Sequence, residues 1–211
     1  MIEAAAREFA HRGYAGASLA GMMKRIGGQP GHLYYYFPTK DSIAKAVIDQ
    51  ELSRWSQRVR EERYEGLVGL EILADLVARI AHDLAAGDPT THATVTLAAD
   101  PSVRDAGITS PVPKWVTHVS ALIDEAIGTR QMGCHLNPSE EAVSFISALL
   151  GLYSIRHEAT DAVGSVYSMA TRQCISFFEN WGCGQAVEVV EAALARAAAG
   201  ARELGRPSSP V

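Results

Sequence analysis

Gln29, His32, Tyr34, Tyr35 and Tyr36 lie in one short stretch, and each carries a hydrogen-bonding group on an apolar or planar body. Leu33 and Phe37 are four apart, so they share one face of a helix. Pro30 suits the first position of that helix, where its missing N–H costs nothing. Pro38 ends it, and Thr39 is placed to cap the next one. Anchored by Leu33 and Phe37, such a helix turns a polar, aromatic face outward. Such a face is built to lie against something else. The plainer reading is a bundle helix with tyrosines at its rim.

Groups suited to bond-making are dispersed. His82, His92, His118, His135 and His157 show neither metal-ligand spacing nor a partnered serine or cysteine motif. We therefore expect no catalytic residue, no metal and no cofactor; the chain does not read as an enzyme. Cys134, Cys174 and Cys183 are odd in number and include no CxxC pair, which argues against a disulfide framework or a zinc site. A reducing, cytoplasmic setting is expected, with no signal peptide and no membrane contact, since no run of 18 apolar residues occurs.

Charge is unevenly distributed. The chain of 211 residues has a formal net charge of −5. Yet residues 1–40 hold Arg7, Arg12, Lys24, Arg25 and Lys40 against only Glu3 and Glu8. A basic end on an acidic body fits a protein that meets phosphates with one face. Chance clustering of a few charges is the bland alternative.

The positioning elements all read as helices. Residues 2–12 form a first helix with Ala5, Ala6 and Phe9 on one face, and Ser18 caps a second over 18–25. Residues 41–62 carry apolar positions at three- and four-residue steps from Ile43 to Val59, a helix of about 30 Å. Further helices are expected at 66–86, 114–128, 138–158, 164–181 and 185–202. Asn137-Pro138-Ser139-Glu140-Glu141 is a strong start for the third of these. Residues 87–113 read as a looser region with room for one short helix near 91–99, and 205–211 as a disordered tail. No strand or repeat is visible, so the fold class is all-α.

The order helix, Gly13-Tyr14 corner, Ser18-capped helix, glycine turn, Leu33-Tyr34-Tyr35-Tyr36-Phe37-Pro38-Thr39-Lys40 closely resembles the DNA-binding domain of the TetR family of transcriptional regulators. The resemblance is continuous over residues 2–50. It implies a helix-turn-helix domain over 1–45, with 29–37 entering the major groove, and a ligand-binding and dimerisation domain over 46–204. The residues carried over to DNA are Ser18, Lys24, Gln29, Pro30, Gly31, His32, Tyr34, Tyr35, Tyr36 and Lys40. Gln29 and Tyr34 are candidates for base contacts; Lys24, Tyr35, Tyr36 and Lys40 are candidates for phosphates. The expected partners are a pseudo-palindromic DNA operator, a small-molecule effector and a second copy of the chain. Residues 138–158, apolar nearly all round, and 164–181 would build the homodimer.

Within that family, Pro111-Val112-Pro113-Lys114-Trp115 before a long helix, and Asn137-Pro138 opening a helix with Leu149-Leu150-Gly151, look like the γ-butyrolactone receptor group that controls antibiotic production in streptomycetes. That resemblance assigns Trp115 to the ligand. A pocket between 66–86, 114–128 and 138–158 would be lined by Leu76, Ile80, Trp115, Val119, Ile146, Leu150, Tyr153 and Gln173, with core packing as the alternative for each. The chain departs from the group at Gly28 and Pro30 in the turn. It also has Leu149-Leu150-Gly151 where receptors commonly show Phe-Thr-Gly, which removes a hydroxyl and favours a furan, a butenolide or a pseudo-receptor's ligand. A TetR-like repressor of efflux or lipid-metabolism genes answering to a drug or acyl ligand is the alternative.

Overall fold

The computed structural model describes residues 1–26, 35–133, 135–155 and 165–203, without the side chains of Ile26, Tyr64, Val166 and 201–203. Among the described residues there are ten α-helices and no strand: α1 (Ile2–Gly16), α2 (Leu19–Ile26), α3 (Lys40–Tyr64), α4 (Leu70–Ala85), α5 (Pro89–Ala99), α6 (Pro101–Asp105), α7 (Val112–Gly128), α8 (Pro138–Ile155), α9 (Val166–Asn180) and α10 (Ala186–Glu203). None of them is long and apolar enough to cross a membrane.

Local chemistry accounts for several of the helix starts. Ser18 Oγ accepts from Gly21 N at 3.0 Å and starts α2. Thr39 Oγ1 accepts from Ser42 N at 3.1 Å, and Ser42 Oγ returns a bond to Thr39 O at 2.7 Å, starting α3. Asn137 Oδ1 accepts from Ser139 N at 3.1 Å, ahead of Pro138 in the first turn of α8. The helix expected from residue 66 begins only at Leu70. Gly66 and Gly69 take φ of +87° and +52° and shape a turn there instead.

The chain forms two compact units. The first comprises Met1–Trp55 together with Gly87–Val112; the second comprises Ser56–Ala86 and Pro113–Val211. The compact division therefore differs from the expected boundary at residue 45. The supposedly loose stretch holds two helices, each started by an Asp-Pro pair. Asp88 caps α5 through Thr90 N and Thr91 N, and Asp100 caps α6 through Ser102 N. α5 and α6 pack on α1. Ala93, Leu97, Val103 and Ile108 share one buried core with Phe9, Tyr14, Met22, Ile43 and Val47. Two short helices around Ala and Thr carry too little periodic signal to announce that core from sequence.

The second unit is built on α4, which packs against α9 and α10, with α8 on α9. Phe145, Phe177, Phe178 and Trp181 form an aromatic cluster with centroid separations of 5.2–5.7 Å. Trp181 Nε1 donates to Glu141 Oε2 at 2.7 Å, satisfying the polar end of a buried ring.

Candidate nucleic-acid interface

Gln29, Pro30, Gly31, His32 and Tyr34 lie outside the described residues. The description resumes at Tyr35 and Tyr36, both helical and 80% and 61% exposed. Their rings meet edge to face with centroids 5.1 Å apart. Phe37 packs against the core of the first unit, as the anchor role requires. Two phenols thus stand in solvent immediately before a half-buried anchor.

Four basic residues of the first unit, Lys24, Arg25, Arg12 and Lys40, have different duties. Lys24 is exposed in the last turn of α2. Arg25 Nε donates to Glu8 Oε2 at 3.0 Å, and Arg12 Nε lies 3.3 Å from Glu8 Oε1. Glu8 is 2% exposed. Its carboxylate lies against Gly21, where any Cβ would run into it. This glycine is what lets α1 and α2 approach closely enough for the Glu8–Arg25 pair.

Lys40 was expected at a phosphate. Its ammonium is instead turned inward: Nζ donates to Tyr14 O at 2.9 Å and Ala17 O at 3.3 Å, and sits 4.3 Å from the centroid of the Tyr14 ring. The Tyr14 hydroxyl donates to Asp41 Oδ1. Burial, with that bond and the Asp41 charge, raises the phenol to about 12. Tyr14 N donates to Asp100 Oδ2 at 2.8 Å. Burial would raise the Asp100 carboxyl, but hydrogen bonds from Ser102, Tyr14 and Ala15 outweigh it and hold the group below the ordinary aspartate range. Asp41 and Asp100 were not among the expected site residues. The signal for Asp100 was present, since Asp before Pro is a helix-start signature. Its bond to Tyr14 spans 86 positions and leaves no local trace.

In the second unit, Leu76, Trp115, Val119, Ile146 and Tyr153 are buried, while Ile80, Leu150 and Gln173 are half-buried. They lie on α4, α7, α8 and α9, the helices named for the pocket together with one more. Between α4, α9 and α10, Ala74, Ala78, Thr171, Cys174 and Val190 border a crevice too narrow to hold a water molecule. None of the expected lining residues borders that space. Burial pushes the Cys174 thiol far up, so it is a packing group rather than a reactive one. Among the described residues, no group of three or more His, Cys, Asp or Glu is placed to hold a metal ion.

Comparison with known proteins agrees with this geometry. Residues 1–47 match the family described as bacterial regulatory proteins, tetR family. The HTH-type transcriptional repressor AcnR of Corynebacterium diphtheriae is 28% identical over 144 residues, covering 68% of each chain. Among solved structures, TylP, a TetR regulator from Streptomyces fradiae, superposes with a TM-score of 0.67 at 22% identity, covering 92% of this chain and 88% of that one. An ArpA-like γ-butyrolactone receptor gives a TM-score of 0.72 at 18% identity, covering 92% and 94%. Residues 1–47 thus match the tetR family of bacterial regulatory proteins, and the chain as a whole shares the fold of these solved TetR regulators.

Proposed function

We propose that the protein is a dimeric repressor that binds a pseudo-palindromic operator and is released by a small, mostly apolar signal of the γ-butyrolactone, butenolide or furan type. The observation that carries the DNA half is the exposed Tyr35–Tyr36 pair set beside the half-buried Phe37 within the family-matched domain. The dimer half is supported by α8. In one chain only Ala142, Phe145, Ile146 and Tyr153 of that helix are buried, while Val143 and Ile155 are 50% and 49% exposed beside Ser147, Gly151 and Ser154. A face of this kind permits close approach of a second copy.

Selection from a random duplex pool tests this reading directly. It should return an inverted repeat whose half-sites are separated by about one helical turn or a multiple of it, bound by two chains. Titration of the selected duplex against salt then separates the two lysines. Lys24→Ala should reduce the salt slope by about one per protomer. Lys40→Ala should leave the slope unchanged and lower thermal stability, because Nζ is spent on Tyr14 O and Ala17 O. Recovery of no preferred sequence would remove the operator reading.

The effector half rests on Trp115, 4% exposed in the first turn of α7, where the likeness to the receptors would put the ligand. The helix α3 runs from the first compact unit into the second, which makes it the candidate lever. Release needs an effector that prefers the non-binding state, not merely one that binds tightly. A γ-butyrolactone, a butenolide and a furan should be offered to the protein–duplex complex. At least one is expected to release the parent, and Trp115→Phe should hold DNA normally while needing at least about tenfold more ligand, as the loss of about 1.4 kcal/mol implies. Release at the parent's concentration would place the pocket elsewhere. Release of the parent by an acyl or drug ligand alone would favour the efflux or lipid-metabolism alternative.

A further inference from the structure

Gly13 interrupts α1 with φ +65° and ψ −176°, so the chain restarts a helical turn at Tyr14. The first N–H groups after such a break have no acceptor within their own turn. Here the acceptor comes from far along the chain. Asp100 Oδ2 receives Tyr14 N at 2.8 Å and the carboxylate also receives the Ala15 amide, while Oδ1 receives Ser102 N at 2.9 Å. One carboxylate therefore caps two helical starts, its own at α6 and the one at the Gly13–Tyr14 corner. The approach is close: a Cβ on Gly13 would stand 3.1 Å from Asp100 Oδ2. The other faces of Tyr14 are held from α3, by Asp41 at the hydroxyl and by Lys40 at the carbonyl and ring. The same corner leads within a few residues to Ser18 and α2, the first helix of the helix-turn-helix.

We infer that Asp100, which lies outside the family-matched residues 1–47, is a positioning residue for operator binding: it fixes the α1–α2 corner and thereby the placement of α2. The inference rests on the operator reading above. It makes the α5–α6 segment a working part of the DNA-binding head, not of the effector body. Asp100 touches no DNA in this account, so its loss should act on affinity without changing how many phosphates are neutralised.

The test compares Asp100→Ala and Asp100→Asn with Ser102→Ala, which removes a donor to Asp100 but spares the corner. Binding to the duplex selected with the parent protein should weaken by about tenfold or more in Asp100→Ala, the scale of a lost charge-assisted cap. The salt slope should be unchanged. Asp100→Asn keeps one acceptor and the shape of the side chain, so it should fold like the parent and fall between the two; Ser102→Ala should bind like the parent. Hydrogen exchange supplies a readout independent of DNA: the amides of Tyr14 and Ala15 should lose protection in both Asp100 variants and keep it in Ser102→Ala. Loss of protection with unchanged operator affinity in Asp100→Asn and Asp100→Ala would overturn the inference, as would unchanged protection. A smaller salt slope would overturn it too, since it would show a phosphate contact. If the parent itself selects no duplex, the operator reading falls with the inference, while the exchange data still report whether the clasp exists.

Discussion

Glu62→Gln is expected to raise stability at pH 8 by about 2–4 kcal/mol and to flatten the pH dependence of unfolding. Glu62, near the end of α3, is 2% exposed and faces Asp75 and Arg79 of α4, with Arg58 on its own helix. Asp75 is 0% exposed. Its oxygens take Arg79 Nε at 2.6 Å and, from α10, Arg196 Nε at 2.7 Å. Glu62 is left with Arg79 Nε at 3.5 Å and a carboxylate neighbour. Two carboxyl groups gathered together out of water favour keeping a proton on one of them. Burial, then the bond to Asp75 and its charge, raise Glu62 from 4.5 to about 9, against the opposing pull of Arg79 and Arg58.

The folded chain thus keeps a proton that the unfolded chain gives up. The stabilisation is fully present below about pH 4.5 and is lost as pH rises through about 9, with a slope of up to about 1.4 kcal/mol per pH unit. Asp75 behaves oppositely. Burial would raise it, but Arg79, Glu62 and Arg196 together hold it below the ordinary range, so its contribution is lost only as pH falls below about 3.8. Urea unfolding at fixed protein concentration between pH 5 and 9 measures the slope. Equal slopes in parent and Glu62→Gln would show that the proton is held elsewhere.

Gly69→Ala should cost about 3 kcal/mol or more, lowering the melting temperature by about 6–12 °C. Gly69 adopts φ 52° and ψ −114°, a combination that side-chain-bearing residues avoid. A Cβ there would stand 2.9 Å from Ala126 Cα and collide with Gln131 Oε1. That oxygen cannot simply move aside, because it accepts from Leu70 N at 2.9 Å while Gln131 Nε2 donates to Val68 O at 3.2 Å. Glu125 Oε2 also accepts from Gly69 N at 3.1 Å. The turn before α4 is therefore tied to the end of α7 through its backbone. A melting curve superimposable on the parent's would mean that the loop relaxes at no cost. Gly66→Ala serves as the comparison, since its φ is also positive but no atom lies within 4 Å of the added carbon.

The local rules that started the helices were written in single residues. Ser18, Thr39 and Asn137 each cap where their chemistry and the following apolar period require. The all-α class and the family of the head could be read for the same reason: capping, periodicity and the Tyr-Tyr-Phe-Pro-Thr-Lys order are short-range properties. Phe37 became an anchor because the spacing of apolar positions already chose its face.

Other features belong to pairs of residues far apart, and no local pattern records them. Lys40 looked like a surface cation, but folding places two carbonyls and a tyrosine ring within its reach, and an ammonium donates to whatever acceptors surround it. Asp100 looked like a loop residue, and only the packing of α5 and α6 on α1 brings it to the Tyr14 amide. Glu62 is, in sequence, only the last residue of a stretch read as a long helix. Its proton affinity depends on Asp75, Arg79 and Arg58 being gathered out of water, which is a property of the packed helices and not of any one of them.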